Sequence, residues 1–429
     1  MVRLFQPYSS IRRAGTAATR LKTCVAIAAA FLLATNLPAS AQKPTPPIVV
    51  HYMPWFVAKP YSENWGWHWT MNAGDSGPFN PDRVAKNGHL CIASHYYPEI
   101  GPYDSADPVV QEYHLQLMKI AGLSGLIADW YGKSDLNDFG VIRAAFQKLL
   151  PAAAKYHLKV GVCYEDQTIP QRVKAGKLDV ASRISAAKED LEWLKQALFA
   201  GAVCLRVGDK PLLLSFGQTG LTDAEWKETL AGETVAYYSE HNRRSAADGA
   251  FDWPLPSLGP ASVDRFYKQH SAPGERFIAT AFTRFDDVYA EGNAGASFPK
   301  MADEKGELLH RTLQQALKSG ADLVQIATWN DWGEGTGIEP TSQFGTRDLQ
   351  TVQAASAISQ KAGWKPEDLS IPLRVYRMKR ANPAPTAALK KLFTRIADGI
   401  AEANASDVRS ALAEAEKLSV AAPHAAGQR

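Results

Sequence analysis

Apolar residues fall along this chain in two alternating rhythms. Short runs rich in Val, Ile, Leu and aromatic residues, bounded by Gly, Pro, Asp or Asn, read as buried strands near 48–55, 125–130, 159–164, 211–216, 234–239, 249–253, 276–282 and 323–330. Between most of them, apolar positions recur every three or four residues. Residues 107–121 set Val110, His114, Leu117, Met118 and Ala121 at helical spacing, with Pro108 near the start and Gly122 at the stop. Residues 181–200 (Ile184, Leu191, Leu194, Leu198) and 302–318 (Leu308, Leu309, Leu313, Ala316, Leu317) behave alike. Eight strands in this order, separated by helices, predict an α/β chain folded as a (β/α)8 TIM barrel, whose functional groups gather at the C-terminal ends of the strands.

One connection is too long and irregular for a further βα unit. Residues 56–105 hold Tyr61, Trp65, Trp67, Trp69, Phe79, Tyr96, Tyr97 and Tyr103 among Gly, Pro and Asn. A loop leaving the C-terminal end of strand one lands beside the site, and Trp and Tyr faces stack on sugar rings while their polar edges stay wet. Such aromatics also serve to pin a loop onto a barrel. Of this group, Trp55 and one of Trp65, Trp67 or Trp69 are expected to touch a ligand, with Trp67 the chosen candidate.

Beyond the barrel, residues 346–361 read as the eighth helix. Pro366, Pro372, Pro383 and Pro385 then punctuate a connecting segment, followed by helical patterns over 386–400 and 406–418. The predicted organisation is a signal peptide over 1–41, the barrel over 42–364, a C-terminal helical extension over 365–418, and a disordered tail over 419–429. The first segment earns its label from Arg3, Arg12, Arg13, Arg20 and Lys22, an apolar run from Val25 to Ala34, and Ala39-Ser40-Ala41 as the cleavage site. The apolar run is too short for a membrane anchor, so the mature chain is expected from Gln42 onward, secreted or periplasmic.

That reading changes the charge. The full chain carries net +3, and removing the five positive residues of the signal leaves about −2. No basic surface remains for nucleic acid. Cys91, Cys163 and Cys204 are too widely spaced for a disulfide framework or a metal motif, and His51, His68, His89, His95, His114 and His157 share no close ligand spacing. No cofactor and no metal are expected, and the oligomeric state is open.

Chemistry concentrates where strand eight ends, in Trp329-Asn330-Asp331-Trp332-Gly333-Glu334-Gly335-Thr336-Gly337-Ile338-Glu339-Pro340. The three glycines permit positive φ or close backbone approach, so Asp331 and Glu334 can be turned toward one cavity. A single acid after a strand is more often a cap or a salt-bridge partner. A pair flanked by Trp329 and Trp332 is what glycosidic cleavage asks for: one carboxyl protonated, the other ionised, their pKa values pushed apart by proximity. Other strand ends add Asp129-Trp130-Tyr131, Tyr164-Glu165-Asp166, Gln218, Tyr237-Tyr238 and Asp252-Trp253. Acidic and aromatic groups converging on one mouth favour a neutral, hydroxyl-rich ligand. His51 and His95 are further groups able to bind sugar hydroxyls.

The strand-eight stretch resembles the signature of glycoside hydrolase family 99 and the related family 71. His51-Tyr52-Met53-Pro54-Trp55-Phe56, Tyr97-Pro98-Glu99-Ile100-Gly101-Pro102-Tyr103-Asp104-Ser105 and Asp129-Trp130-Tyr131-Gly132 are similar to the same group. The resemblance spans roughly residues 48–345 and implies a barrel that cleaves α-linked mannan or α-glucan, endo-acting, by carboxylate acid/base catalysis. It implies Asp331 as base on the substrate's 2-hydroxyl and Glu334 as acid/base, and places Glu165 or Asp166 and Tyr237 or Tyr238 near the cleavage subsite. The substrate-binding set is thus His51, Tyr52, Trp55, Trp67, Asp129, Trp130, Tyr131, Glu165, Tyr237, Asp252, Trp253, Asn330 and Trp332. Family 99 usually has Glu where this chain has Asp331, and family 71 has Asp in an inverting site, so retention and inversion both stand. The competing class is a non-catalytic carbohydrate-binding barrel, or a protein handling polysaccharide during envelope export. Such a protein would tolerate loss of either acid.

Overall fold

The computed structural model describes residues 45–270 and 272–421. The expected signal peptide, its cleavage site and the end of the expected tail lie outside the described residues. Eight parallel strands close into a barrel: β1 (Ile48–Tyr52), β2 (Gly125–Trp130), β3 (Lys159–Tyr164), β4 (Lys210–Ser215), β5 (Ala236–Glu240), β6 (Gly249–Phe251), β7 (Phe277–Phe282) and β8 (Leu323–Ala327). Each pairs with its sequence neighbour, and β8 returns to β1 through Val50 opposite Ile326. The two-residue strand Arg206–Val207 folds antiparallel onto β4 and adds nothing to the barrel wall.

Period-two alternation divides the strands into two buried layers. Val49, Ile127, Cys163, Leu212, Leu214, Tyr238, Phe251, Ile278 and Leu323 pack together inside the barrel. Val50, Leu126, Ala128, Val162, Leu213, Val324 and Ile326 face outward against helices. One helix is central to the outer layer, α1 (Pro108–Ala121). The Asp107 side chain accepts the Val109 N–H at its start, Pro108 occupies the first turn, and Gly122 ends it at φ 78°.

The C-terminal helices belong to this same outer core. Residues 366–385, expected as a proline-broken connection, contain a 3-10 turn (Pro366–Ser370) and a helix, α2 (Ile371–Ala381). Pro366 and Pro372 fall in first turns, where the missing N–H costs no hydrogen bond. Two more helices follow, α3 (Ala387–Ala401) and α4 (Ala405–Ala421), the latter running into the residues expected as tail. Leu389, Ile396, Val408 and Leu412 join the buried cluster that contains Tyr113 and Leu117 of α1. Arg380 pairs with Asp107 and Lys379 with Glu112, so α2 is tied to α1 by charge as well.

Candidate active site

The site forms where β8 runs out. After the cis Ala327–Thr328 peptide bond the chain doubles back on itself, with Ile338 N–H donating to Thr328 O at 3.0 Å and Glu339 N–H to Trp329 O at 2.9 Å. Inside this turn, Thr328 Oγ1 lies 2.9 Å from Thr336 Oγ1 and accepts the Asp331 N–H at 2.9 Å. Gly335 sits at φ 67°, and a Cβ there would meet the Tyr96 ring at 2.7 Å. Gly337 serves by close approach, since its Cβ would stand 2.9 Å from Trp329 O. The loop after β7 holds the turn from the side: Asp286 N–H donates to Glu334 O and Val288 N–H to Gly333 O.

Asp331 is buried and Glu334 half-buried. Asp331 Oδ1 accepts the Glu334 N–H at 3.0 Å, and Glu334 Oε1 accepts the Tyr289 hydroxyl at 2.8 Å. Burial raises the pKa of both carboxyls. The nearby Asp331 charge pushes Glu334 up further, and Asp129 adds to the rise at Asp331. Two acids on one loop therefore resist ionising together, and the backbone N–H bonded to Asp331 favours its ionised form.

Around the pair, inward-facing strand ends supply Asp129, Glu165 and Glu240, whereas Asp252, between the inward Phe251 and Trp253, turns the other way and lies beside His241. Burial raises the carboxyl pKa of Glu165, Glu240 and Asp252, and Asp129 adds to the rise at Glu165. His241 reaches toward two of them, 3.5 Å from Glu240 and 3.6 Å from Asp252. Burial opposes its protonation, but the adjacent Asp252 and Glu240 carboxyls prevail and its pKa is raised. His51 lies 3.9 Å from Asp129 and meets Trp253 edge-on at 4.8 Å. Tyr131 stacks on Phe139. Trp55 stacks face to face on His68 at 4.2 Å.

Several expected site residues lie elsewhere, because successive residues of a strand face opposite ways. Tyr52 turns outward to His114, its hydroxyl 3.2 Å from Nδ1. Trp130 stacks on Trp193 in the helical layer. Tyr237 packs on Trp226 and bonds to Ser215. Tyr238 points into the barrel, but its hydroxyl reaches Asp322, which precedes β8 at the opposite end of the barrel from the site. Asp166 is spent on the Leu221 N–H and the Trp226 indole.

Trp67 is 41% exposed, its indole bonded to Asn72 at 2.9 Å on the loop surface. Asn330 and Trp332 are buried beneath the acids. Asn330 clamps both backbone groups of Met53, at 2.8 and 3.0 Å, and with Trp332 it bonds to the Tyr103 hydroxyl. That hydroxyl donates to Glu339, which is held in turn by His114 at 3.0 Å.

The first half of the barrel carries the resemblance most clearly. Residues 47–176 match the model of glycosyl hydrolase family 99. A glycoprotein endo-alpha-1,2-mannosidase-like protein of Danio rerio is 37% identical over 306 residues, covering 63% of this chain and 64% of that relative. The chain is similar to glycosyl hydrolase family 99. The glycoprotein endo-alpha-1,2-mannosidase of Mus musculus is 37% identical over 93 residues, about a fifth of each protein (19% and 20%).

The fold agrees with family 99. The GH99 endo-alpha-mannosidase structure from Bacteroides thetaiotaomicron superposes with a TM-score of 0.52 at 19% identity, over 73% of this chain and 96% of that one. A second model, glycosyltransferase WbsX, matches residues 260–352. Asp331 and Glu334 therefore lie in the segment with the transferase likeness, outside the span matched by the family 99 model. Tyr289, Glu240 and His241 were missed from sequence. For Glu240 the signal was present, since extending the fifth strand by one residue places it at the barrel mouth.

Proposed function

We propose that this chain is a glycoside hydrolase that cleaves α-linked oligo- or polysaccharide, with α-mannan its favoured substrate, and that it works after secretion. The observation carrying this reading is the carboxyl pair on the β8 turn, in which Glu334 is held by Tyr289 and Asp331 closes the turn through the Glu334 N–H. Glu334, whose carboxyl the Asp331 charge pushes further up, is the acid that assists the leaving oxygen. Asp331 is the base. The family likeness supports the same assignment and extends it to attack through the substrate's 2-hydroxyl. An α-mannoside presents that hydroxyl on the face opposite the leaving group, whereas an α-glucoside does not.

The deciding experiment incubates the protein with α-mannans and α-glucans, reads products by mass, and follows anomeric configuration by NMR. Retention on α-mannan supports the 2-hydroxyl route. Inversion on α-glucan reassigns the base to a water. The match of residues 260–352 to a glycosyltransferase model favours a second reading, in which the same acids pass the sugar to an acceptor hydroxyl instead of to water. Supplying an acceptor glycan and weighing the products separates transfer from hydrolysis.

A further inference from the structure

We infer that His51, Asp129 and Cys163 form a binding site for one zinc-class divalent ion at the floor of the pocket. The three residues are far apart in sequence, which is why no ligand spacing announces them. The barrel brings them together. They project inward from the adjacent strands β1, β2 and β3, and Asp129 stands opposite Cys163 in the strand register. One ligand atom from each side chain lies within 4.8 Å of the other two, and all three residues are buried.

The donor set identifies the ion class. Imidazole nitrogen, carboxylate oxygen and thiolate sulfur together suit zinc or cobalt, whereas calcium and magnesium take oxygen shells. Independent of the clustering, polar atoms here lack partners. Asp129 Oδ1 and His51 Nδ1 have no hydrogen bond, although the residues are only 3% and 1% exposed. A buried carboxylate oxygen left without a donor is costly, and a cation supplies what is missing.

Charge points the same way. Among the described residues, no Lys or Arg forms an ion pair with Asp129, Glu165, Glu240 or Asp331, whose carboxyls crowd this end of the barrel. Three protein ligands leave a fourth position of a tetrahedral zinc-class ion for a solvent or ligand atom. On binding, the Cys163 S–H proton passes to solvent as the sulfur–metal bond forms, and nothing is oxidised or reduced.

The test does not depend on the hydrolase reading, because its readout is the metal itself. Cobalt(II) titrated into the chelator-stripped full-length protein is expected to bind at one per chain with a thiolate-to-cobalt charge-transfer band. Excess zinc should bleach that band. Cys163→Ser should abolish it, whereas Cys91→Ser should leave it intact. X-ray absorption of the zinc-loaded wild type, which needs no variant to fold, should show one sulfur in a mixed shell. A folded wild type that gives no band at saturating cobalt, a band that survives in Cys163→Ser, or a zinc shell lacking sulfur would each overturn the site.

Discussion

Asp331 differs from a longer acid at its position in a way the turn explains. Its Oδ1 reaches only as far as the Glu334 N–H, so the carboxyl closes the loop that carries its partner. A Glu there has one more carbon–carbon bond, about 1.5 Å, to accommodate. Glu334→Gln should lower polysaccharide cleavage by about 10² to 10⁴ while largely sparing the first step on a glycosyl fluoride, whose leaving group needs little protonation. Asp331→Asn should depress both substrates. Steady-state rates on the two substrates check this, and equal loss on both in Glu334→Gln would reverse the assignment. Tyr289 donates its hydroxyl to Glu334 and so favours the ionised form. Removing that donor in Tyr289→Phe should raise the Glu334 pKa and move the alkaline limb of the kcat/KM profile up by about one pH unit.

At the level of elements, the β8 turn rests on a scaffold of side chains instead of a helix. The Tyr103 hydroxyl is the hub, bonded to Glu339, Asn330 and Trp332. Tyr103→Phe leaves those buried groups short of a partner, so a loss of about 1 to 3 kcal/mol in urea unfolding is expected, with weaker turnover. This scaffold explains what the sequence could and could not disclose. Apolar runs located all eight strands to within a few residues, because buried parallel strands have little else in them. The same two-residue period that makes His51 and Asp129 face inward obliges Tyr52 and Trp130 to face the helices. Choosing adjacent residues as joint ligands overlooked that alternation. Asn330 and Trp332 stand in the motif because they support it, and a motif alone does not separate supporting from reacting groups. Tyr289 comes from a loop with no periodicity, and its role exists only once the β7 and β8 loops meet.

For the whole molecule, acids withdrawn from water carry a stability cost. Glu165, Glu240, Asp252, Asp331 and Glu334 have folded pKa values above those of the unfolded chain. Between the unfolded values, about 4, and the raised folded ones, the native state binds more protons, so these groups make stability fall as pH rises. Glu334→Gln should therefore raise Tm at neutral pH, by roughly 2 to 4 °C per kcal/mol recovered, and the gain should vanish near pH 4. Calorimetry across that range checks the sign. The C-terminal helices act at the same scale. Ending the chain at residue 382 would bare the α1 surface that Leu389, Ile396 and Leu412 help to bury, and the shortened protein should be insoluble or protease-sensitive. That arrangement also fixes an order of events during synthesis. α1 precedes the helices that help cover it by the rest of the barrel wall, so that outer surface stays bare until α3 and α4 have been made.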